Sequence, residues 1–204
     1  MRALDLSWTN FAHPFLSLSS NKFHGQIPES ICNAAALGVL DLSNNSINGT
    51  IPQCLLSSTS NTLKVLNLRR NKLTGKISDT FPSNCSLQTL NVNTNLLEGV
   101  VPKSLANCTN LEVLDIGNNK IHDSFPCHLK GMSNLHVLVL HSNKFYGSVG
   151  CGGSNVTWPI LQIVDLASNN FSGRLSIKSL ANSKLMMADN EAQSGLNYLQ
   201  FDPR

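Results

Sequence analysis

Charge is scarce in this chain: Asp, Glu, Lys and Arg make up 13% of its 204 residues, and the formal net charge is +3. A nucleic-acid surface needs clustered Lys and Arg, and the adjacent basic pair Arg69–Arg70 reads as a solvated edge. Long apolar runs are missing as well, since none approaches the ~18 residues needed to cross a bilayer. The amino-terminal stretch MRALDLSWTNFAHPF has neither the continuous apolar core nor the small-residue cleavage site of a secretory leader. H-E-x-x-H, G-x-S-x-G, P-loop and G-x-G-x-x-G patterns do not occur, which argues against the enzyme classes built on them.

What is present is a period. The stretch LEVLDIGNNKI places Leu111, Leu114, Ile116, Asn119 and Ile121 in the frame L-x-x-L-x-L-x-x-N-x-I. The same frame starts at Leu37, Leu63, Leu87, Leu135 and Leu161, and an imperfect copy has His13 at its first place, with Leu16, Leu18 and Phe23 keeping theirs. The asparagines form the series Asn21, Asn45, Asn71, Asn95, Asn119, Asn143 and Asn169, mostly 24 residues apart. Self-similarity at such a period marks a stack of coils that bury their apolar residues against their neighbours. The six histidines (His13, His24, His122, His128, His136, His141) occupy unrelated phases of this repeat. They therefore do not converge on a metal, and no cofactor is expected.

Each coil should open with a short strand whose fourth and sixth residues point inward, as period-2 alternation requires. The turn after it leaves backbone groups buried. A primary amide has two donors and an acceptor, so the asparagine can serve its own turn and the adjacent coil together. A second signature, G-x-I-P, follows at Gly25–Pro28 and Gly49–Pro52, with Gly99-Val-Val-Pro102 close to it; Asp123 replaces the glycine before Phe125-Pro126. It favours an extended side wall, with short helical turns such as Lys103–Asn107 and His128–Met132 on the convex side. Two coils have 26 residues, their extra pairs falling in Ser57–Asn61 and Gly150–Thr157.

The repeat L-x-x-L-x-L-x-x-N-x-L-x-G-x-I-P resembles that of plant extracellular leucine-rich-repeat proteins. The wording VPKSLANCTNLEVLDIGNNKI, VLVLHSNKF and LQIVDLASNNFSG is similar to receptor-like proteins of the Verticillium-wilt-resistance type, over roughly Phe15–Gly173. The expected fold is an α/β leucine-rich-repeat solenoid. A parallel sheet would line its concave face, with short helical or 3-10 turns and a second short sheet (G-x-I-P) on the outer wall. Expected divisions are a truncated or mis-joined repeat at 1–14, about seven repeats over 15–183, and a non-repeat tail at 184–204. Within that tail, Lys184–Phe201 resembles the start of the family's island region. The resemblance implies a secreted ectodomain with a membrane helix, a short tail without kinase, and a partner kinase. The chain's own ends lack a leader and an anchor, so a fragment of such an ectodomain is expected.

Several residues stand out as candidate sites. Outward positions of the strand face carry Asp41, Asn67, Arg69, Asn91, Asn93, Asp115, His141 and Asp165, beside a mostly Val or Ile column. Acidic and amide groups next to a β-branched stripe suit a peptide or a flat protein surface. Asn84 and Asn107 are the first glycosylation candidates among six N-x-[ST] sequons, with Asn48 and Asn155 behind them. Cys127 and Cys151 follow their asparagines at the same distance, so adjacent coils bring them within disulfide range. Cys85 and Cys108 are one residue out of phase, and the cysteines other than Cys127 and Cys151 are expected to be reduced and buried. The function expected is non-enzymatic recognition of an extracellular protein or peptide from a microbe, at the outer face of the plasma membrane. The alternatives are a secreted inhibitor of microbial cell-wall hydrolases and an inactive truncated fragment.

Overall fold

Seven strands of three residues each, Phe15–Ser17, Val39–Asp41, Val65–Asn67, Thr89–Asn91, Val113–Asp115, Val137–Val139 and Ile163–Asp165, form one parallel sheet in sequence order. This is seen in a computed structural model that describes residues 14–57, 62–151 and 158–174. The truncated first repeat up to residue 13, residues 58–61 and 152–157 of the two insertions, and the tail at 184–204 lie outside the described residues. Register is strict: Leu40 pairs with Leu66, Leu66 with Leu90, Leu90 with Leu114 and Leu114 with Leu138. These leucines are the inward residues of the alternation, and each is fully buried. Leu42, Leu68, Val92, Ile116 and Leu140 two places on are buried as well. Burying one such side chain contributes roughly 1.5–3 kcal/mol, and the coils share the gain because each leucine packs against its copies above and below.

The asparagine ladder closes the turn after each strand. Asn95 is 7% exposed. Its Oδ1 accepts the Leu73 N–H at 3.0 Å, while Nδ2 donates to the carbonyls of Val92 in its own turn and Leu68 in the preceding coil, both at 3.0 Å. Asn45, Asn71, Asn119, Asn143 and Asn169 repeat this pattern. Among the described residues no buried side-chain nitrogen or oxygen lacks a partner.

Sequence reasoning missed the residue just before the ladder asparagine. Ser20, Asn44, Arg70, Thr94, Asn118, Ser142 and Ser168 all adopt left-handed backbone, with φ between 49° and 57°. That conformation costs a non-glycine residue about 1–2 kcal/mol. It is offset here because it aims the backbone N–H at the next coil: Asn44 donates to Arg69, Arg70 to Asn93 and Thr94 to Gly117. Ser and Asn at the position are a usable signal, but Arg70 and Thr94 obscure it.

The second wall departs from expectation in detail. Its strands, among them His24–Gln26, Ser46–Gly49, Glu98–Gly99 and Lys120–Ile121, mostly end at or next to the glycine instead of running through Ile-Pro, and they fall into three small parallel sheets. The apolar residue two places after the glycine turns into the core (Ile27, Ile51, Val101), and the proline precedes a 3-10 turn. Lys103–Asn107 is such a turn, as expected. The turn expected at His128–Met132 is instead Cys127–Leu129, starting directly after Pro126. Gly131 (φ 93°) then bends the chain away.

The cysteine expectation is corrected. Cys127 is joined to Cys151, and Cys32–Cys54 and Cys85–Cys108 are disulfides too, with Cα separations of 5.5, 5.7 and 4.7 Å. The sequence separations are 24, 22 and 23. Equal phase is therefore not required, because convex turns of different shape absorb one or two residues. Each bond staples one coil to the next on the outer wall.

Candidate ligand-recognition face

The concave sheet presents its third-position side chains, Val39, Val65, Thr89, Val113, Val137 and Ile163, as a half-exposed stripe, with Ile163 at 46%. Beside it, the fifth position has a task that the sequence did not announce. Oδ1 of Asp41 accepts the N–H of Ser43 at 2.9 Å, and Asn67, Asn91, Asp115 and Asp165 do the same for Arg69, Asn93, Gly117 and Ala167 at 3.0–3.3 Å. These Asx turns fasten the strand end. They leave the second side-chain oxygen of Asp41 and Asp165 without a hydrogen bond among the described residues. Arg69 is exposed at the rim.

Three of the expected contact residues form one network instead of three separate contacts. Asn93 Nδ2 donates to Asp115 Oδ1 at 2.8 Å and reaches His141 Nε2 at 3.3 Å, spanning two coils. Thr94 Oγ1 and Asn118 Nδ2 both donate to Asn93 Oδ1. The amide donates to Nε2, so the proton of neutral His141 sits on Nδ1, which donates to Ser142 Oγ at 3.1 Å. Asn93 is only 5% exposed, so it is a buried strut and not the exposed contact expected. The span is possible because Gly117 lies beneath it. A Cβ there would come within 2.7 Å of the His141 ring and 2.8 Å of Asn93 Nδ2.

The outer wall holds an open groove of about 430 Å³ lined by Asp79, Val100, Lys103, Asp123 and His128. Its two carboxylates and its histidine are bound to the fold. Asp79 is held below the usual carboxylate range by hydrogen bonds from the Ser104 side chain and amide, and Asp123 accepts the N–H groups of Val101 and Ser124. Burial pushes the His128 pKa down, and its Nε2 donates to the Pro102 carbonyl at 3.1 Å. Among the described residues Glu29, Cys32 and Cys54 are close enough to hold a metal ion, but the two sulfurs are bonded to each other. No helix among the described residues is long and apolar enough to cross a membrane.

Of the sequon asparagines, Asn84 and Asn107 are exposed beside the convex turns, although Asn107 Nδ2 donates to the Phe81 carbonyl at 2.9 Å. Asn48 is exposed on a lateral strand, and Asn155 lies outside the described residues.

Stacked parallel coils, a concave strand face and an amide ladder define a repeat solenoid. Two leucine-rich-repeat family patterns match the sequence, over residues 85–145 and over 14–34, 36–58 and 62–84. The chain belongs to the leucine-rich-repeat family, and its structure is similar to the ectodomains of plant receptor kinases. One is the Arabidopsis receptor kinase HAESA, solved with the peptide hormone IDA and the co-receptor SERK1. It is 29% identical, with TM-score 0.72, over 82% of this chain and 28% of that one. The ectodomain of the Arabidopsis thaliana receptor kinase SOBIR1 is 31% identical, with TM-score 0.58, over 63% and 68% of the two chains. A plant ice-binding protein is 32% identical, with TM-score 0.67, over 81% and 52%. This chain spans less than a third of the length of HAESA. Among proteins of curated function, none matches the sequence.

Proposed function

We propose that this chain is a segment of a plant receptor-like ectodomain of the Verticillium-wilt-resistance type, which recognises a microbial peptide or protein outside the cell and signals through a partner kinase. The observation that carries the reading is the concave face: a β-branched stripe flanked by Asp41, Arg69, Asp115, His141 and Asp165 on a rigid parallel sheet. HAESA, the similar solenoid, was solved with a peptide hormone and a co-receptor. Exposed apolar side chains next to fixed carboxylates suit an extended peptide, whose side chains alternate between the two kinds of neighbour. On this reading the island-like segment Lys184–Phe201 follows the last coil, and glycans at Asn84 and Asn107 cover the convex side.

The test is a binding screen of the secreted chain against synthetic peptides tiled from secreted fungal proteins, repeated with V113D/V137D. The reading expects a peptide that the wild type binds and the variant loses by at least tenfold. Inhibition of a fungal polygalacturonase without any peptide binding would replace it with the hydrolase-inhibitor reading.

A further inference from the structure

The concave side is not uniform in charge. The coil that begins at Leu63 carries Lys64, Arg69 and Arg70, and Asn67 and Asn91 hold the fifth position in that coil and the next. In the last three strands and their turns (111–119, 135–143 and 161–169) the acids are Glu112, Asp115 and Asp165, and there is no Lys or Arg. The histidines of these stretches are tied into the fold, His136 to the Asn134 carbonyl and His141 to Asn93 and Ser142. Lys120 and Lys144 come only after the ladder asparagines, past the turn that leaves the sheet. One end of the concave face is therefore acidic.

Register sets the spacing of that charge. Val139 pairs with Asp115 on one side and with Asp165 on the other. At about 4.8 Å per strand, the Cα atoms of the two aspartates stand about 10 Å apart with a valine between them. Oδ1 of Asp115 accepts the Gly117 N–H and Asn93 Nδ2, and Oδ1 of Asp165 accepts the Ala167 N–H. Their Oδ2 atoms take no hydrogen bond among the described residues. Two residues back on the same face run Val113, Val137 and Ile163, the last 46% exposed. An acidic row with a two-coil repeat thus lies beside an apolar row.

A peptide lying across the strands has to match that repeat. A polyproline II helix has three residues per turn and rises about 3.1 Å per residue, so side chains three apart share one face about 9 Å apart. A β-strand presents the same face every ~6.8 Å, which matches neither one coil step nor two. In the polyproline II form, cations three residues apart meet both aspartates. Each aliphatic stem lies against Val139 and each charged head reaches a free carboxylate oxygen, while an apolar residue between them meets the valine row.

We propose that this end of the concave face binds a polyproline II peptide with cations three residues apart, of the form (Arg/Lys)-Pro-x-(Arg/Lys) with x aliphatic. The inference rests on the concave face being the ligand site, and adds the ligand's charge, conformation and spacing.

The experiment titrates the full chain calorimetrically with an acetylated, amidated peptide of Arg-Pro-Val repeats, and with a peptide of the same composition whose arginines are adjacent. The repeat peptide should bind about tenfold more tightly, and D115N/D165N should lose about tenfold for it, because charge-assisted hydrogen bonds are removed. Asn67 and Asn91 show that asparagine sustains this turn, and unchanged circular dichroism checks that the variant is folded. E29Q/E98Q, which removes two exposed charges from the outer walls, should bind like the wild type. Equal affinity for the two peptides or for spermine, equal loss in both variants, or no binding of the repeat peptide would overturn the proposal. A peptide from the tiled screen that V113D/V137D loses and that has no such pair of cations would overturn it too, while leaving the receptor reading in place.

Discussion

Replacing Asn95 by leucine isolates what the ladder contributes. The two side chains are close in size, and the site is buried, so an apolar residue fits the space. What disappears is the acceptor for Leu73 N–H and the donor to the carbonyls of Leu68 and Val92. Leaving a buried polar group unpaired costs about 1–3 kcal/mol. One N–H and two carbonyls stripped together predict a loss of about 3–5 kcal/mol, against total stabilities of about 5–15 kcal/mol for ordinary domains. N95D should be no better at neutral pH, since it keeps the acceptor but turns carboxylate lone pairs towards two carbonyl oxygens at 3.0 Å. The assay is urea unfolding followed by circular dichroism, with amide hydrogen exchange at Leu73 to localise the damage. If N95L unfolds within about 1 kcal/mol of the wild type and Leu73 stays protected, the ladder works by packing and the hydrogen-bond account is refuted.

Three further outcomes are expected. The double variant C85S/C108S opens a closed loop of 23 residues' separation, which predicts a loss of about 3 kcal/mol from released chain entropy; urea midpoints matching the wild type would show that the bond adds nothing. Gly117→Ala should push His141 off Asn93 and lower stability by about 1 kcal/mol, visible as a changed His141 Nε2 signal in nitrogen NMR; an unchanged signal counts against the two-coil strut. His128 has its folded pKa lowered by burial from 6.5. As pH falls below 6.5 the unfolded chain takes the proton first, so stability present above that value is lost on acidification. In H128Q this part of the slope, which sets in as the pH falls below 6.5, should vanish, and it starts well above the window in which Asp79, depressed from 3.8, could act. An identical slope in variant and wild type would mean that His128 titrates as an exposed residue.

The solenoid was legible in the residues alone. A period of 24 residues, with leucines at fixed offsets and an amide after them, admits one kind of core, because each inward side chain must meet its own copy in the next coil. The double duty of the ladder amide was readable too, since donors and acceptors on a buried turn have to be matched locally. Contacts that cross coils away from the repeat's own frame were not readable. Cys32 and Cys54 meet although 22 residues separate them, because their 3-10 turns differ in length. Asn93, read as an outward contact, became a buried strut because Asp115 and His141 close over it, and they can do so only where Gly117 leaves room. The carboxylates of the concave column likewise spend one oxygen on the chain two residues on, which a pattern of outward positions does not reveal. Periodicity specifies what every coil must share. What one coil does to a particular neighbour depends on side-chain volume and turn shape, which are settled once the coils have packed.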